Sequence, residues 1–401
     1  MKGQHLDLQN YKQYRAVITN VVEIMRPRRT RFPSVSVKTQ LDINAAVGAL
    51  LRDLAAVQTS QQSEWGYKRA AAAILNLDKP LESLLQPDGT LPRIPHVGPS
   101  SLRVVHEFLK TGRSETVEAA VVASTRSHEI ARSRELRDNF LSSAQVAEVL
   151  GAKKERVVQA KHYRGDLQMH SEYSDGGASV AEMAKGCIAR GYSYCAITDH
   201  SYGLPIARGI SMAQLEKQHT EIEVLNRRHK GRFRILRGIE ANILADGGLD
   251  MTAHELRRVE VVLAAPHSKL RISDDQTPRM LKAVSISGVN ILAHPRGRMF
   301  GSRPGISAKW DKVFARAAST GVAIEIDGDP SRQDVDCELA RQALKAGCVF
   351  ALDSDAHSVE ELRYAETAIA HARLAGIPKE RIVNCWDVEE LRGWLAQAWR
   401  R

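Results

Sequence analysis

The stretch Tyr194-Cys-Ala-Ile-Thr-Asp-His200 is a short apolar run that ends in polar residues and a histidine. Four other short apolar runs end in the same way, at His170, His267, His294 and His357. We interpret each run as a buried β-strand and each histidine as the start of the loop that follows. Since the carboxyl ends of neighbouring parallel strands share one rim, histidines that are distant in sequence can build one pocket. Imidazoles that converge with carboxylates are typical of a metal site.

Predicted strands and helices alternate from Arg164 onward. Residues 233–240 and 322–327 also have the pattern of strands, which makes seven predicted strands, each followed by a crossover. This α/β pattern favours a closed parallel barrel. In an open sheet only the strands beside the topological switch point would contribute to a site, whereas here nearly all strands do.

The composition is ordinary for a soluble globular protein, with 43% apolar and 26% charged residues in a chain of 401. The chain has no run of about 18 apolar residues, so we expect no membrane span. Its first residues lack the apolar core of a secretion signal. The five cysteines are odd in number and form no C-x-x-C pair, which predicts reduced thiols and a cytoplasmic location.

The positive charge is concentrated in the amino-terminal part. Residues 1–165 hold 25 Lys and Arg against 16 Asp and Glu, a net charge of +9, whereas residues 166–401 hold 32 against 31. This distribution suggests a module that binds a polyanion, joined to a neutral domain. The alternative is a soluble basic domain without such a partner.

Four segments are predicted. Residues 1–37 are interpreted as a short helix and a basic linker, which contains Arg26-Pro-Arg-Arg-Thr-Arg-Phe-Pro33. Residues 38–112 are expected to form a small helical domain, residues 113–163 a helical connector, and residues 164–401 the barrel.

Within the helical domain, a tight turn at residues 97–99 leads directly into a helix. Exposed backbone N–H groups at such a helix start can hold a phosphate. The segment resembles a helix-hairpin-helix, a module that contacts the DNA backbone without reading its sequence. The alternative is an ordinary helical hairpin. The predicted DNA-backbone contacts are Gly98, Ser100, Ser101 and Arg103.

Three carboxylates occupy positions equivalent to those of the strand-end histidines: Asp175, Glu240 and Asp355. A single histidine in such a place is usually structural, but the recurrence of the pattern with carboxylates favours a metal site. The role of Asp327 and Asp329 is open. Either side chain could face the rim and attract a cation, or cap its own loop.

The motifs as a set resemble those of PHP (polymerase and histidinol phosphatase) domains, and in particular the PHP domain of bacterial family X DNA polymerases. The motifs are Asp166-Leu-Gln-Met-His-Ser-Glu-Tyr-Ser-Asp175, Thr198-Asp-His200, Gly238-Ile-Glu240, Pro266-His-Ser268, Ala293-His-Pro-Arg-Gly-Arg298 and Ser354-Asp-Ala-His357. The resemblance implies a distorted (β/α)7 barrel that binds two or three divalent metals, Mn²⁺, Zn²⁺ or Fe²⁺, and hydrolyses phosphoesters.

The resemblance also implies three ligand sets, in which Glu240 is shared by two metals. The first set is His170, Glu240 and Asp355, the second is Glu240, His267 and His294, and the third is Asp175, His200 and His357. Gln168 stands where many PHP domains have a histidine, and it is expected to be a weaker ligand. Arg298 and Arg303 are expected to grip the substrate phosphate, and Asp199 to orient a ligand. The residues assigned to catalysis are therefore Glu240, Asp199 and Arg298.

The amino-terminal part resembles the small helical domain of the same polymerases. Only about fifty residues separate Gly112 from Arg164, which is too few for a polymerase palm. Val104 stands where relatives with lyase activity have a lysine. We therefore expect a nucleic-acid phosphoesterase without polymerase activity, of the 3′-5′ exonuclease or 3′-end phosphatase type. The alternatives are a small-molecule phosphatase of the histidinol-phosphate or nucleotide type, and a binding protein with an inactive barrel.

Overall fold

A computed structural model of the chain describes residues 41–153 and 156–400. The predicted helix and basic linker at residues 1–37 lie outside these residues. The chain divides into two compact units, Met1–Glu148 and Val149–Arg401. In the described residues, no helix has the length and apolar character that crossing a membrane requires.

The first unit is helical. A single core contains Val47, Leu51 and Val104 together with Val117 and Ile130. The last two side chains come from the segment that the sequence predicts to be a connector, and they pack with the rest of the helical unit. The helices that include residues of this unit are α1 (Ile43–Ala56), α2 (Gln61–Leu75), α3 (Pro99–Thr111), α4 (Glu115–Ala123), α5 (Ser127–Leu136) and α6 (Ser143–Gly151).

The second unit is an α/β barrel. Seven parallel strands of the described residues are hydrogen-bonded in sequence order. They are β1 (Gly165–Asp166), β2 (Tyr194–Ile197), β3 (Arg234–Asn242), β4 (Val261–Ala265), β5 (Ile291–Leu292), β6 (Ala323–Asp327) and β7 (Phe350–Asp353).

Helices connect or follow the strands of the barrel, and the predicted distorted (β/α)7 barrel is confirmed. Within the described residues these helices are α7 (Val180–Ala189), α8 (Met212–His229), α9 (Ala253–Leu256), α10 (Thr277–Ala283), α11 (Trp310–Thr320), α12 (Cys337–Lys345), α13 (Ala365–Ala375) and α14 (Val388–Gln397). Because every strand runs in the same direction, all strand ends that carry the candidate ligands lie on one rim.

Side chains close the barrel between β1 and β7. The backbone N–H of Leu167 donates to Asp353 Oδ1 at 2.8 Å, and that of His170 to the carbonyl of Ala356 at 2.8 Å. The fully buried amide of Asn384 contacts the carbonyl of Gly165 at 3.0 Å, Asp353 Oδ1 at 2.8 Å and both backbone groups of Leu352. Asn384 therefore links β1 to β7 where the barrel closes.

The Asn384→Ala variant is expected to lower the free energy of unfolding of the barrel by about 2–4 kcal/mol, since it leaves several buried polar groups without partners. Urea unfolding followed by circular dichroism measures the change. The exposed amide of Gln342 provides the control. The Gln342→Ala variant is expected to change the free energy by less than about 0.5 kcal/mol. Equal effects of the two substitutions would contradict the role of Asn384.

Candidate metal centre

Eight of the nine predicted metal ligands lie in loops that follow the strands, and Glu240 lies inside β3. His294 and Asp355 have positive φ angles of 25° and 52°. Such angles strain a residue with a side chain, and they persist where the surroundings hold the residue in place. The strain lies at two positions where the loops turn toward the rim.

The buried carboxylate of Glu240 is the centre of the site. Its Oε2 lies 3.3 Å from His170 Nε2 and 3.1 Å from His200 Nδ1. Its Oε1 lies 3.2 Å from His267 Nε2 and 2.9 Å from His294 Nε2. Each oxygen of one carboxylate therefore faces two imidazoles from different strands.

Two further carboxylates extend this centre. Asp355 Oδ1 lies 3.1 Å from His170 Nε2. Asp175 Oδ1 lies 3.5 Å from His200 Nε2, 3.4 Å from His357 Nε2 and 4.0 Å from His170 Nδ1. The ligand atoms form overlapping clusters, within each of which all atoms lie within 4.8 Å of one another. The clusters are His170–Glu240–Asp355, His200–Glu240–His267 and His170–Asp175–His200–His357.

The donor atoms fit divalent metals. Glu240 Oε2, His200 Nδ1 and His267 Nε2 are buried and lack hydrogen-bond partners in the described residues, although they lie close to one another. Donor atoms that lie close together without forming hydrogen bonds to one another are expected where their lone pairs point at a common cation. His267 Nδ1 lies 3.3 Å from Asn242 Oδ1, and His357 Nδ1 lies 2.9 Å from the carbonyl of Asp355. These acceptors place the imidazole protons on Nδ1 and leave the Nε2 lone pairs to bind a metal.

The site holds its carboxylates ionised. Burial raises the pKa of Glu240, but the neighbouring imidazoles lower it well below its ordinary value. Burial also raises the pKa of Asp175, while the hydrogen bond from His357 and the other imidazoles lower it to about 2. Burial lowers the pKa of His357, whereas Asp175 and Asp355 raise it to about 9. Burial lowers the pKa of His200 to about 3. A metal that binds His357 must therefore displace its proton.

The structure agrees closely with the first predicted ligand set and rearranges the others. His170 also lies in the cluster formed by the residues of the third set, and His200 lies beside Glu240 as well as beside Asp175. His294 remains next to Glu240, as the second set requires. The structure therefore places the eight predicted His, Asp and Glu ligands in one connected group, and their roles as metal ligands remain predictions.

Gln168 lies in a different environment from the other predicted ligands. Its hydrogen-bond pattern orients the amide nitrogen toward Glu325 Oε2 at 3.0 Å. Glu325 also accepts from the backbone N–H of His294. Gln168 thus supports His294 through Glu325, and its placement does not favour the predicted role as a ligand. Sequence reasoning missed Glu325, although a charged residue inside the apolar run of β6 is a usable signal.

Asp199 does not contact the candidate ligands directly. Its carboxylate accepts from Ser171 N–H at 2.8 Å, Ser171 Oγ at 2.6 Å and Gln218 Nε2 at 2.5 Å, and also from Ser174 Oγ. It therefore fixes the loop between His170 and Asp175, which is a positioning role. The assignment of Asp199 to catalysis is not supported, whereas its expected orienting effect agrees with these contacts.

The prediction for Arg298 conflicts with its placement. Its side chain is almost fully buried, donates to the carbonyls of Arg332 and Gln333, and lies 3.3 Å from Asp336. A guanidinium held in this way is directed at the protein and not at a substrate. Arg303 is partly exposed, and its Nε donates to the carbonyl of Gly297 at 2.6 Å.

Arg332 is a candidate that the sequence reasoning missed. Its Nη1 lies 3.3 Å from Asp355 Oδ2, directly beside the ligand group. Its Nε lies 3.6 Å from Asp329 and 3.9 Å from Asp327. Burial lowers the pKa of Arg332, but the charges of the three aspartates more than offset this effect, so that Arg332 stays charged. The position of Arg332 in the loop after β6 is the one signal that the sequence contains.

Asp327 and Asp329 cap their own loop. Asp327 Oδ1 accepts from the N–H of Asp329 at 2.7 Å, and Asp329 Oδ1 accepts from the N–H of Ser331 at 2.8 Å. Both carboxylates also face Arg332. Of the two open interpretations, these contacts favour the loop cap.

The predicted DNA contacts lie at the start of α3 in the helical unit. Gly98 precedes Pro99 at the first helical position, and no side chain caps this end. Gly98, Ser100 and Arg103 are exposed, whereas Ser101 is 5% exposed and faces the core. A DNA contact through the side chain of Ser101 conflicts with that burial. Val104, the position of the lyase lysine in relatives, is fully buried.

The barrel carries a group of imidazoles and carboxylates that could hold divalent metals. Residues 166–325 match the sequence model of the PHP domain. This segment of the chain is therefore a PHP domain, a class of metal-dependent phosphoesterases.

Among curated relatives, the chain is 35% identical over 240 residues to "DNA polymerase/3′-5′ exonuclease PolX" of Bacillus subtilis. The match covers 60% of this chain but only 42% of that relative's length. A "probable phosphatase" of Syntrophotalea carbinolica is 27% identical over 230 residues, which cover 55% of this chain and 90% of that protein. Among solved structures, histidinol phosphate phosphatase of Lactococcus lactis, complexed with zinc, L-histidinol and phosphate, is 17% identical with a TM-score of 0.41. It covers 52% of this chain and 94% of that one.

The Glu240→Gln variant is expected to bind less divalent metal than the wild type, because Glu240 belongs to two of the three clusters. Metal content per chain is measured by elemental mass spectrometry after dialysis against Mn²⁺. The exposed Glu216→Gln variant, which lies on α8, serves as the control. Unchanged metal content in Glu240→Gln would contradict the shared role of this carboxylate.

Proposed function

We propose that the chain is a metal-dependent phosphoesterase that cleaves nucleic-acid phosphoesters, as a 3′-5′ exonuclease or 3′-end phosphatase in DNA repair, without polymerase activity. The observation that carries the chemistry is the guanidinium of Arg332, which lies 3.3 Å from a carboxylate of the candidate metal centre. A cation on the edge of a metal-ligand group is suited to a phosphate. The relative named PolX supports nucleic acid as the substrate class.

Arg332 is proposed to hold the substrate phosphate, in place of Arg298. The like charges of Arg332 and Arg271 contribute, after burial, to a lowered pKa of Arg303. Three guanidiniums thus lie near one another on the loops after β4, β5 and β6, an arrangement that favours an anion. When bound, divalent metals would lower the pKa of a water molecule and neutralise phosphoryl charge. The metals are proposed to be Mn²⁺, Zn²⁺ or Fe²⁺, which all accept imidazole and carboxylate ligands.

The loop that carries Arg332 is held in place by buried polar contacts. Arg298 donates to two carbonyls of this loop, Asp334 Oδ2 accepts from the N–H groups of Arg296 and Gly297, and His371 Nε2 lies 2.7 Å from Gln333 Oε1. A preorganised cation loses little entropy when it meets the substrate. Arg298 therefore contributes to phosphate binding as a positioning residue.

The amino-terminal part is proposed to hold the DNA backbone. The excess of basic over acidic residues in this part does not lie in the helical unit itself, since residues 42–148 hold 12 Lys and Arg against 13 Asp and Glu. The excess lies in residues 1–41, with 8 against 2, and in residues 149–165, with 5 against 1. The exposed start of α3 would supply N–H groups, and these flanking segments would supply the charge. The described cysteines are all free, which supports a reducing, cytoplasmic location.

A second candidate is a small-molecule phosphatase. It is favoured by the similarity to the Syntrophotalea carbinolica relative, of which the chain covers 90%. That protein is named a probable phosphatase, and the match covers 55% of the present chain.

A purified full-length chain with Mn²⁺ is expected to shorten single-stranded DNA, and this activity is expected to disappear with a chelator or in His267→Ala. Labelled DNA, histidinol phosphate and an aryl phosphate are offered in parallel. The exposed His254→Ala variant is the control and should retain activity. Rapid turnover of the small phosphates with intact DNA would favour the second candidate, and activity that survives chelation would contradict a metal mechanism.

The Arg332→Ala variant is expected to lose about 100-fold in kcat/KM, the usual effect of losing one charged donor to a transition state. Its metal content should remain unchanged, and Arg332→Lys should restore part of the activity. Steady-state kinetics with metal analysis measures both effects. Exposed Arg228→Ala on α8 is the control. A loss of metal equal to the loss of activity would assign Arg332 a structural role.

A further inference from the structure

The exposed apolar side chains of the barrel unit are unevenly distributed. In the part of this unit that the structure describes, five large apolar side chains are more than a third exposed. Four of them lie on the loops after β2, β3 and β4, and the fifth, Ile188, lies at the end of α7. The four are Tyr202, Ile206, Leu244 and Ile272.

The same three strands supply one of the candidate metal clusters. His200 follows β2, Glu240 lies in β3, and His267 follows β4. Every loop that leaves this cluster therefore carries an exposed apolar side chain. A concentration of apolar surface beside a polar site marks a place where a ligand is held.

The loop after β2 is anchored at both ends. The N–H of Ser201 donates to the carbonyl of Glu240 at 3.0 Å, and that of Ile210 donates to the carbonyl of His200 at 2.7 Å. Between these anchors, a short helical turn presents Ile206 with 91% of its surface exposed. Because hydrogen bonds fix this loop, the exposure of Ile206 is part of its folded conformation.

The three loops are connected by hydrogen bonds of polar side chains. Ser201 Oγ donates to Asp250 Oδ2 at 2.6 Å, which joins the first loop to the second. The guanidinium of Arg279 donates to the carbonyls of Leu244 and Ser268 at 2.8 and 2.9 Å, which joins the second loop to the third. The four apolar side chains thus belong to three loops that hydrogen bonds connect, and we call these four side chains the apolar rim.

Cations flank the apolar rim on one side. Arg271 lies on the third loop and donates to the carbonyl of Ser302 in the loop after β5 at 2.7 Å. Arg303 and Arg332 follow on the loops after β5 and β6. A strand of nucleic acid has the matching division, with charged phosphates on one side and apolar base faces on the other.

We propose that the apolar rim, residues Tyr202, Ile206, Leu244 and Ile272, holds the nucleobases next to the scissile phosphate of a single-stranded nucleic acid. This inference rests on the proposed function, and it assigns the bases and the phosphates of the substrate to two different parts of the rim. The bases lie over the loops after β2, β3 and β4, and the phosphates lie along Arg303 and Arg332. Because base faces are alike in being apolar, such a surface accepts any sequence.

The test compares Ile206→Ser and Leu244→Ser with Ile188→Ser as the matched control, in full-length protein with Mn²⁺. The substrates are a 5′-labelled single-stranded oligodeoxynucleotide and the same strand with abasic sites at its 3′ end. Each rim variant is expected to raise KM for the normal strand at least about fivefold. The wild type should show a similar rise on the abasic strand, and the rim variants should no longer distinguish the two strands. The inhibition constant of inorganic phosphate should stay within about twofold, since phosphate occupies only the cationic side.

Unchanged KM in both rim variants, or equal losses on the normal and the abasic strands, would overturn the apolar rim while leaving the proposed nuclease function in place. A wild type that hydrolyses an aryl phosphate but shortens neither strand would overturn the proposed function and the rim together. Thermal unfolding by circular dichroism, compared with that of Ile188→Ser, identifies any variant whose loss comes from misfolding.

Discussion

The site depends on one buried carboxylate. Glu240 is enclosed in β3, and moving an isolated carboxylate from water into such an environment is costly. Four imidazoles from four different strand ends surround it, two at each oxygen. Each imidazole can reach Glu240 only if its strand is in register with its neighbours. The chemistry of the site and the closure of the barrel are therefore parts of the same arrangement.

Much of the charge in the barrel serves as scaffold. Arg298 holds the loop that carries Arg332, Arg279 joins the loops after β3 and β4, and Asp199 fixes the turn between His170 and Asp175. A charged group can be buried when several backbone groups satisfy it. The result is a rim whose loops are linked to one another by hydrogen bonds.

The positive charge of the amino-terminal part is unevenly distributed along the chain. The described helical unit is almost neutral, although the amino-terminal part as a whole is basic. The exposed start of α3 offers backbone N–H groups, while the positive charge lies in the segments on either side of this unit. Binding of DNA by this part would thus combine directional N–H groups with charge from neighbouring segments.

The sequence by itself determined the order of the elements and the positions of the candidate ligands. The alternation of strands and helices predicted a parallel barrel of seven strands, and the histidines at the ends of apolar runs lie on one rim as parallel topology requires. These features are local, or follow from the direction of the strands.

Only the tertiary structure decided where the long side chains point. Arg298 and Arg332 both belong to loops after strands, but the first is satisfied by carbonyls and the second lies beside Asp355. Gln168 likewise meets Glu325, a partner more than 150 residues away in sequence. Burial and charge at such positions depend on contacts between distant segments, and no local pattern in the sequence records them.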